Sequence, residues 1–327
     1  MMNRRAALAA TVASTVLPLV ATDVRAQSEY PNRPIRLLVG FPPGGGVDLT
    51  ARPLLPHLQP RLGQPVVVEN RPGANGNLAV DAACKAPADG YTLLVGNTGP
   101  LAANHALYRN LPFDTQRDLT PVAQLISTPL VLVVSPNLGV NSLRDLLAMA
   151  RAKPDELNMG TGGNGGSPHL CLEAIKQREG LEIVHVPYRG SAPALQDLIG
   201  GRIQLMIDTY NLFRGAHEAG QVKVLAISSL QRHPSLPDVP TMDEAGLTGF
   251  ESVGWVGLFA PAATPVPILD RLEEAVRGAM TGTDLPQTYL SQGGLPSFSG
   301  RAAFGAVVGR DRQRLGELIQ KVGVRLD

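Results

Sequence analysis

Four short stretches rich in glycine and other small residues carry the chemistry that this chain can do. The first is Phe41-Pro42-Pro43-Gly44-Gly45-Gly46-Val47-Asp48, directly after the apolar run Ile35–Val39. The second is Gly160-Thr161-Gly162-Gly163-Asn164-Gly165-Gly166-Ser167-Pro168, and the third is Pro187-Tyr188-Arg189-Gly190-Ser191-Ala192-Pro193. A weaker fourth is Gly96-Asn97-Thr98-Gly99. Asp48, Ser167 and Ser191 read as N-caps of the helices that follow, with Pro168 at the first helical position. Each such loop exposes backbone N–H groups at the positive end of a helix, and the missing side chains let an anion come close. The only cation in these loops is Arg189. The expected ligand is therefore a small anion held by backbone donors, hydroxyls and water. A second carboxylate has no evident fixed partner, which favours a monocarboxylate or a zwitterion. Asp208, at a predicted strand end, is placed to meet an ammonium group.

Other chemistries find little support. Residues 160–165 match GxGxxG, but the preceding strand is short and glycine is abundant, so the match is weak as a dinucleotide fingerprint. Neither GxxxxGK[ST] nor GxSxG occurs. The six histidines show no HxxxH or HxH spacing, which argues against a metal site. No spacing ties Asp48 or Asp208 to a nucleophile or base, and Asp48 reads as a cap. His169 reads as a residue that holds its loop, and Trp255 as core or interlobe packing. The expectation is a binding protein, not an enzyme, with no cofactor and no metal.

The elements that must position these loops alternate between β-rich runs and helical patterns. Strands are predicted over 35–39, 66–68, 92–95, 130–134, 183–186, 203–207, 224–227 and 256–259. Several are nearly continuous apolar runs, as in a sheet covered on both faces. Helices are predicted after Ser142, after Ser167 with a stop at Gly180, and after Ser191 with a stop at Gly200-Gly201. This alternation implies an α/β architecture. The first helix is a difficulty: Ala51, Leu54, Leu55, Leu58 and Leu62 form an apolar stripe, but Pro53, Pro56 and Pro60 interrupt it. Interior prolines cost about 3 kcal/mol each, so a kinked, partly 3₁₀ or broken helix is expected. Two polar, turn-rich stretches, residues 113–121 and 235–249, suggest two crossings between lobes.

Residues 1–26 read as a secretory signal. Asn3, Arg4 and Arg5 precede an apolar run over residues 6–20, and Val24-Arg25-Ala26 suits cleavage after Ala26. The run is short for a membrane span of about 20 residues. Whether the Arg4-Arg5 pair marks twin-arginine export is left open. The full chain carries a formal charge of +1, and removing three arginines and one aspartate with the leader leaves −1. Near-neutrality gives no electrostatic reason to expect nucleic acid or an anionic membrane as partner. Cys84 and Cys171 read as two separate, partly buried thiols.

Several motifs resemble one family in its own order. PNRPIRLLVGFPPGGGVDLTAR, VVVENRPGANG, ADGYTLLVGN, LYRNLPFD, HVPYRGSAPALQDLIGGRIQLMID, LPDVPTMDEAG and WVGLFAPAATP look like Bug-type receptors, the TctC-like substrate-binding proteins of tripartite tricarboxylate transporters. The resemblance covers residues 30–275 and weakens over the C-terminal helices. It implies a two-lobed periplasmic-binding-protein type II fold with two crossing segments. Lobe one would comprise residues 28–125 and 250–327, and lobe two residues 126–249. It implies a periplasmic, monomeric receptor that captures a small carboxylate and delivers it to membrane permease subunits. Lobe one would hold a carboxylate through water with Phe41, Pro43, Gly44, Gly45, Gly46 and Asp48 of the first loop and with Asn97 and Thr98. Lobe two would close with Thr161, Asn164, Gly165, Gly166 and Ser167, with Ser191 and Ala192, and with Asp208 at its strand end. The chain departs from the family at Gly46 or Val47, where a hydroxyl residue is usual, and in its lobe-two loop, where Asn164 could replace a lost hydroxyl donor. An exported hydrolase or isomerase, or a ligand sensor for a membrane signalling protein, are the alternative readings.

Overall fold

The structure is a computed structural model that describes residues 30–326; the expected leader lies outside the described residues. The chain opens with β1 (Ile35–Val39), α1 (Gly46–Leu62), β2 (Val66–Asn70), α2 (Asn77–Cys84) and β3 (Thr92–Asn97). A π-helical turn, Gly99–Ala103, runs into α3 (Asn104–Leu107), and α4 (Thr115–Asp118) leads into β4 (Leu119–Val134). Then come α5 (Leu143–Ala152), β5 (Asn158–Thr161), α6 (Ser167–Glu179), β6 (Val184–Pro187), α7 (Ser191–Ile199), β7 (Leu205–Thr209), α8 (Tyr210–Glu218) and β8 (Lys223–Ile227). The C-terminal part holds β9 (Val253–Pro261), α9 (Val266–Thr281), α10 (Leu285–Ser291), β10 (Leu295–Gly300) and α11 (Arg301–Val322).

β4 organises the molecule. Its first part pairs antiparallel with β9 and β10, and its second part, from Leu130, pairs antiparallel with β7 and β8. β2, β1 and β3 run parallel beside β9 in one lobe, and β7, β5 and β6 run parallel in the other. Successive strand residues point to opposite faces, and both faces are buried. Ile35, Leu37 and Val39 enter one core while Leu38 enters another; Leu130, Leu132 and Val134 enter a third while Val131 and Val133 enter a fourth. That double burial is why the strands read as apolar runs. Pro121 sits near the start of β4, where the register shifts between Pro121 and Ala123, as suits a residue without an N–H.

The two lobes join where β4 passes the start of β9. Ser228 Oγ accepts from Leu130 N–H (2.8 Å) and donates to the Ser252 carbonyl (2.6 Å). Ser228 N–H bonds the Leu130 carbonyl (2.8 Å), and Ser252 N–H bonds the Ser228 carbonyl (2.9 Å). One fully buried serine thus staples both crossing segments.

Three sequence expectations need correction. The first helix is neither broken nor partly 3₁₀: α1 runs without interruption through Pro53, Pro56 and Pro60. The three prolines orphan the carbonyls of Leu49, Arg52 and Pro56, all in exposed residues that water can reach. The buried stripe of Ala51, Leu54, Leu58 and Leu62 is untouched. Second, the first crossing is strand from Leu119, not a polar turn, and β5 and β10 were not foreseen. Third, the caps shift. Glycines 45, 166 and 190 occupy the N-cap positions of α1, α6 and α7, so Asp48, Ser167 and Ser191 lie inside their helices. Ser142, Gly180 and Gly200 act as read, and both cysteines are free, Cys171 buried and Cys84 half-buried.

Candidate ligand-binding site

A cavity of about 480 Å³ lies between the lobes, within the range of small-molecule sites. Its floor is the crossing region: Thr128, Leu130, Gly254, Trp255 and Val256. Thr98 Oγ1 accepts from Trp255 N–H (2.8 Å) and so ties the end of β3 to the start of β9. Trp255 is itself pinned from behind, its Nε1–H donating to buried Asp311 of α11 (2.9 Å). Phe41, Val47, Leu49, Ile126 and Pro168 add apolar wall.

Three helices begin at this cavity. Gly45, Gly46 and Val47 bring the start of α1, Ser167 and Pro168 the start of α6, and Thr209 and Asn211 the start of α8. None of the three has a side-chain cap. The first N–H groups of a helix have no partner inside it, and each helix end carries partial positive charge. The lining contains no Lys, Arg or His. Any positive field here therefore comes from backbone, as a small anion would require. Asn97 contributes an amide whose Oδ1 is buried without a partner among the described residues.

Asp208 is the one carboxyl in the lining. Its Oδ1 accepts from Thr209 N–H (2.7 Å) and its Oδ2 from Ser191 Oγ (2.5 Å). Burial pushes its pKa up, and the bonds from Ser191 and Thr209 offset that only in part. Ser191 therefore serves Asp208 rather than the cavity.

The sequence-predicted residues separate into those on the wall and those behind it. Phe41, Gly45, Gly46, Asn97, Thr98, Ser167 and Asp208 line the cavity. Pro43 and Gly44 are exposed in the same first loop but off the wall. Asp48 lies behind it, fully buried, and accepts from Gly44 N–H (2.9 Å), Arg52 Nε (2.7 Å) and Asn70 Nδ2 (2.8 Å). Burial acts to raise its pKa, but the bonds from Arg52, Asn70 and Gly44 outweigh it and hold the carboxyl below its usual value.

Thr161, Asn164, Gly165 and Gly166 shape the second loop without lining the cavity, and Asn164 points to solvent. Thr161 Oγ1 bonds His185 Nε2 (2.6 Å), and His169 Nδ1 accepts from Gly165 N–H (3.0 Å). The two imidazoles stack with centroids 3.8 Å apart. Burial lowers both pKa values to about 4, helped by Lys176 and, for His185, by His169. His169 thus holds its loop, as its position suggested. Ala192 on α7 and Arg189 in the loop before it are both exposed and off the wall.

Sequence reasoning missed the start of α8 and the turn after α10, where Gln292, Gly293 and Gly294 reach the wall. No glycine marks the start of α8. The Gly293-Gly294 pair was a legible small-residue signal, but it lies beyond the reach of the motifs.

A family model described as "Tripartite tricarboxylate transporter family receptor" matches residues 50–324. The chain belongs to this receptor family. A "UPF0065 protein in tcbD-tcbE intergenic region" of Pseudomonas sp. (strain P51) is 39% identical over 292 residues, covering 88% of this chain and 86% of that one. Among solved structures, "R. palustris Rpa4515 with adipate" is 35% identical with a TM-score of 0.78, over 90% of this chain and 99% of that one. "MatC (Rpa3494) from Rhodopseudomonas palustris with bound malate" is 32% identical with a TM-score of 0.73, over 89% and 100%. The two-lobed α/β fold of this receptor is therefore that of the family's solute-binding proteins. Among the described residues no helix is long and apolar enough to cross a membrane.

Proposed function

We propose that this receptor works in the periplasm, captures a small carboxylate between its lobes and hands it to membrane permease subunits, without catalysing a reaction. The observation that carries the reading is the convergence of three uncapped helix starts on an interlobe cavity with no cationic side chain. The carboxylate is placed against Gly45, Gly46, Asn97 and Thr98, where α1 supplies unpaired N–H groups. Two related receptors carry adipate and malate, which supports the same class of ligand here. Residues 28–125 with 250–327 form lobe one in this reading, and 126–249 form lobe two, hinged at Ser228. Closure follows from the ligand's preference for the closed form, and the mature protein acts as a monomer.

The test is a thermal-shift and calorimetric screen of the mature protein against adipate, malate, aromatic acids and amino acids. A ligand at 100 times its Kd adds about 2.7 kcal/mol of stability. Gly46→Val sharpens it, because a Cβ at Gly46 meets no atom within 4 Å. That variant should fold normally and bind about 100-fold more weakly, the equivalent of two hydrogen bonds to a charged group. Unchanged affinity in Gly46→Val would remove the first loop from the site.

A further inference from the structure

We infer that Asn211 and Gly293 form an interlobe latch that sets how tightly the cleft closes, and that both are positioning residues for ligand capture. The inference rests on the receptor reading above. Asn211 lies in the first turn of α8, three residues after Asp208, and Gly293 lies in the turn between α10 and β10. The first belongs to the lobe built on β7, the second to the lobe built on β9, and no crossing segment joins them directly. A Cβ built on Gly293 would overlap the Asn211 side-chain amide. The two lobes therefore meet here as an amide seated on bare backbone.

The contact is part of the cavity itself. Asn211 and Gly293 both line it, and their chain neighbours Asp208, Thr209, Gln292 and Gly294 line it too. A ligand that shifts either segment must shift this contact. Asn211 is also steered from its own helix, where Arg214 Nη2 donates to Asn211 Oδ1 (3.3 Å).

A second interlobe contact has the same form. Gly165 of the lobe-two loop packs on Leu107 and Leu326, which would lie 3.0 and 3.1 Å from a Cβ there. That contact is apolar and off the cavity wall, whereas the Asn211 contact lies on it and is placed to read the ligand. Gly293 has φ of +81°, a conformation in which any side chain brings strain of its own. The decisive variant must therefore separate strain from contact.

The experiment compares wild type, Gly293→Ala, Asn211→Gly and the double variant Asn211→Gly/Gly293→Ala as full mature proteins. Small-angle scattering reads the radius of gyration without ligand, and calorimetry reads affinity for adipate and malate. Gly293→Ala should raise the radius of gyration and weaken binding about tenfold, with its circular dichroism unchanged. The double variant should recover most of the compactness, because removing the amide makes room for the methyl group. A Gly293→Ala protein as compact as wild type would overturn the latch. So would a double variant no better than Gly293→Ala, since strain alone would then explain the loss. A wild type that binds no carboxylate at all would defeat the receptor reading instead, and scattering would still judge the latch.

Discussion

The two glycine-rich loops do similar work at the cavity wall but are held in opposite ways. The loop before α1 is anchored by a carboxylate: Asp48 gathers Gly44 N–H, Arg52 and Asn70, and Asn70 also donates to the Phe41 carbonyl (3.0 Å). The loop before α6 is anchored by neutral imidazoles, with His169 on Gly165 and His185 on Thr161. An anchor that accepts hydrogen bonds must keep its lone pairs. Asp48 keeps them until the solution is more acidic than an ordinary carboxylate needs, while His169 loses its acceptor as soon as its Nδ1 is protonated. Two loops of like composition should therefore fail at different pH values.

The largest expected effect is on the first anchor. Asp48→Ala leaves Gly44 N–H and one N–H of the half-buried Asn70 amide unpaired, the other staying on the Phe41 carbonyl, and should cost about 2–3 kcal/mol in urea unfolding at pH 7. Arg52 is half exposed and adds little to that figure. The folded pKa of Asp48 is depressed, so its contribution is present above the ordinary carboxylate pKa of about 3.9 and is lost as pH falls through the folded value. The gap between wild type and Asp48→Ala should close at that acid end. A gap that is constant with pH would mean that packing, not charge, makes the anchor.

The second anchor should be weaker. His169→Ala strands Gly165 N–H and should cost about 1–2 kcal/mol, read in the same unfolding experiment. If it costs more than Asp48→Ala, the ranking of the two anchors is reversed.

The smallest effect is a slope. Both imidazoles have folded pKa values near 4 against an ordinary 6.5, so the unfolded chain binds more protons between those values. The stability they allow is complete above pH 6.5 and declines as pH falls toward 4, by at most about 1.4 kcal/mol per pH unit for buried His169. His185→Phe keeps a ring in the stack but cannot titrate. Its stability should fall less steeply than wild type between pH 6.5 and 4. An identical slope would place the acid sensitivity elsewhere.

Much of this site was legible in the residues. The apolar runs placed the strands, and the small-residue loops pointed to Gly45, Gly46, Asn97, Thr98 and Ser167, all of which line one cavity. His169 could be read as a loop holder because it lies just inside a helix that follows five glycines in a seven-residue stretch, residues 160–166. The prolines of α1 misled because their cost was counted without their direction. Their spacing places the orphaned carbonyls of Leu49, Arg52 and Pro56 toward solvent, and only burial decides whether water can replace a lost bond. Asp48 and Ser191 misled for a related reason. Both are good capping types, but a glycine took each N-cap position, and their oxygens turned to Gly44 and to Asp208.

The sequence by itself determined which segments can be strands, where helices can start, and that the small-residue loops between them hold a single cation, Arg189. These properties are local: hydrophobic periodicity, capping chemistry and the absence of side chains act within a few residues. Only the tertiary structure decided which helix starts share a cavity. It chose α8 over α7, brought Trp255 across to Thr98, and carried the turn at Gly293 onto Asn211. Those pairings depend on the order of strands around β4, and that order is set by burying four cores at once, over separations no local pattern encodes.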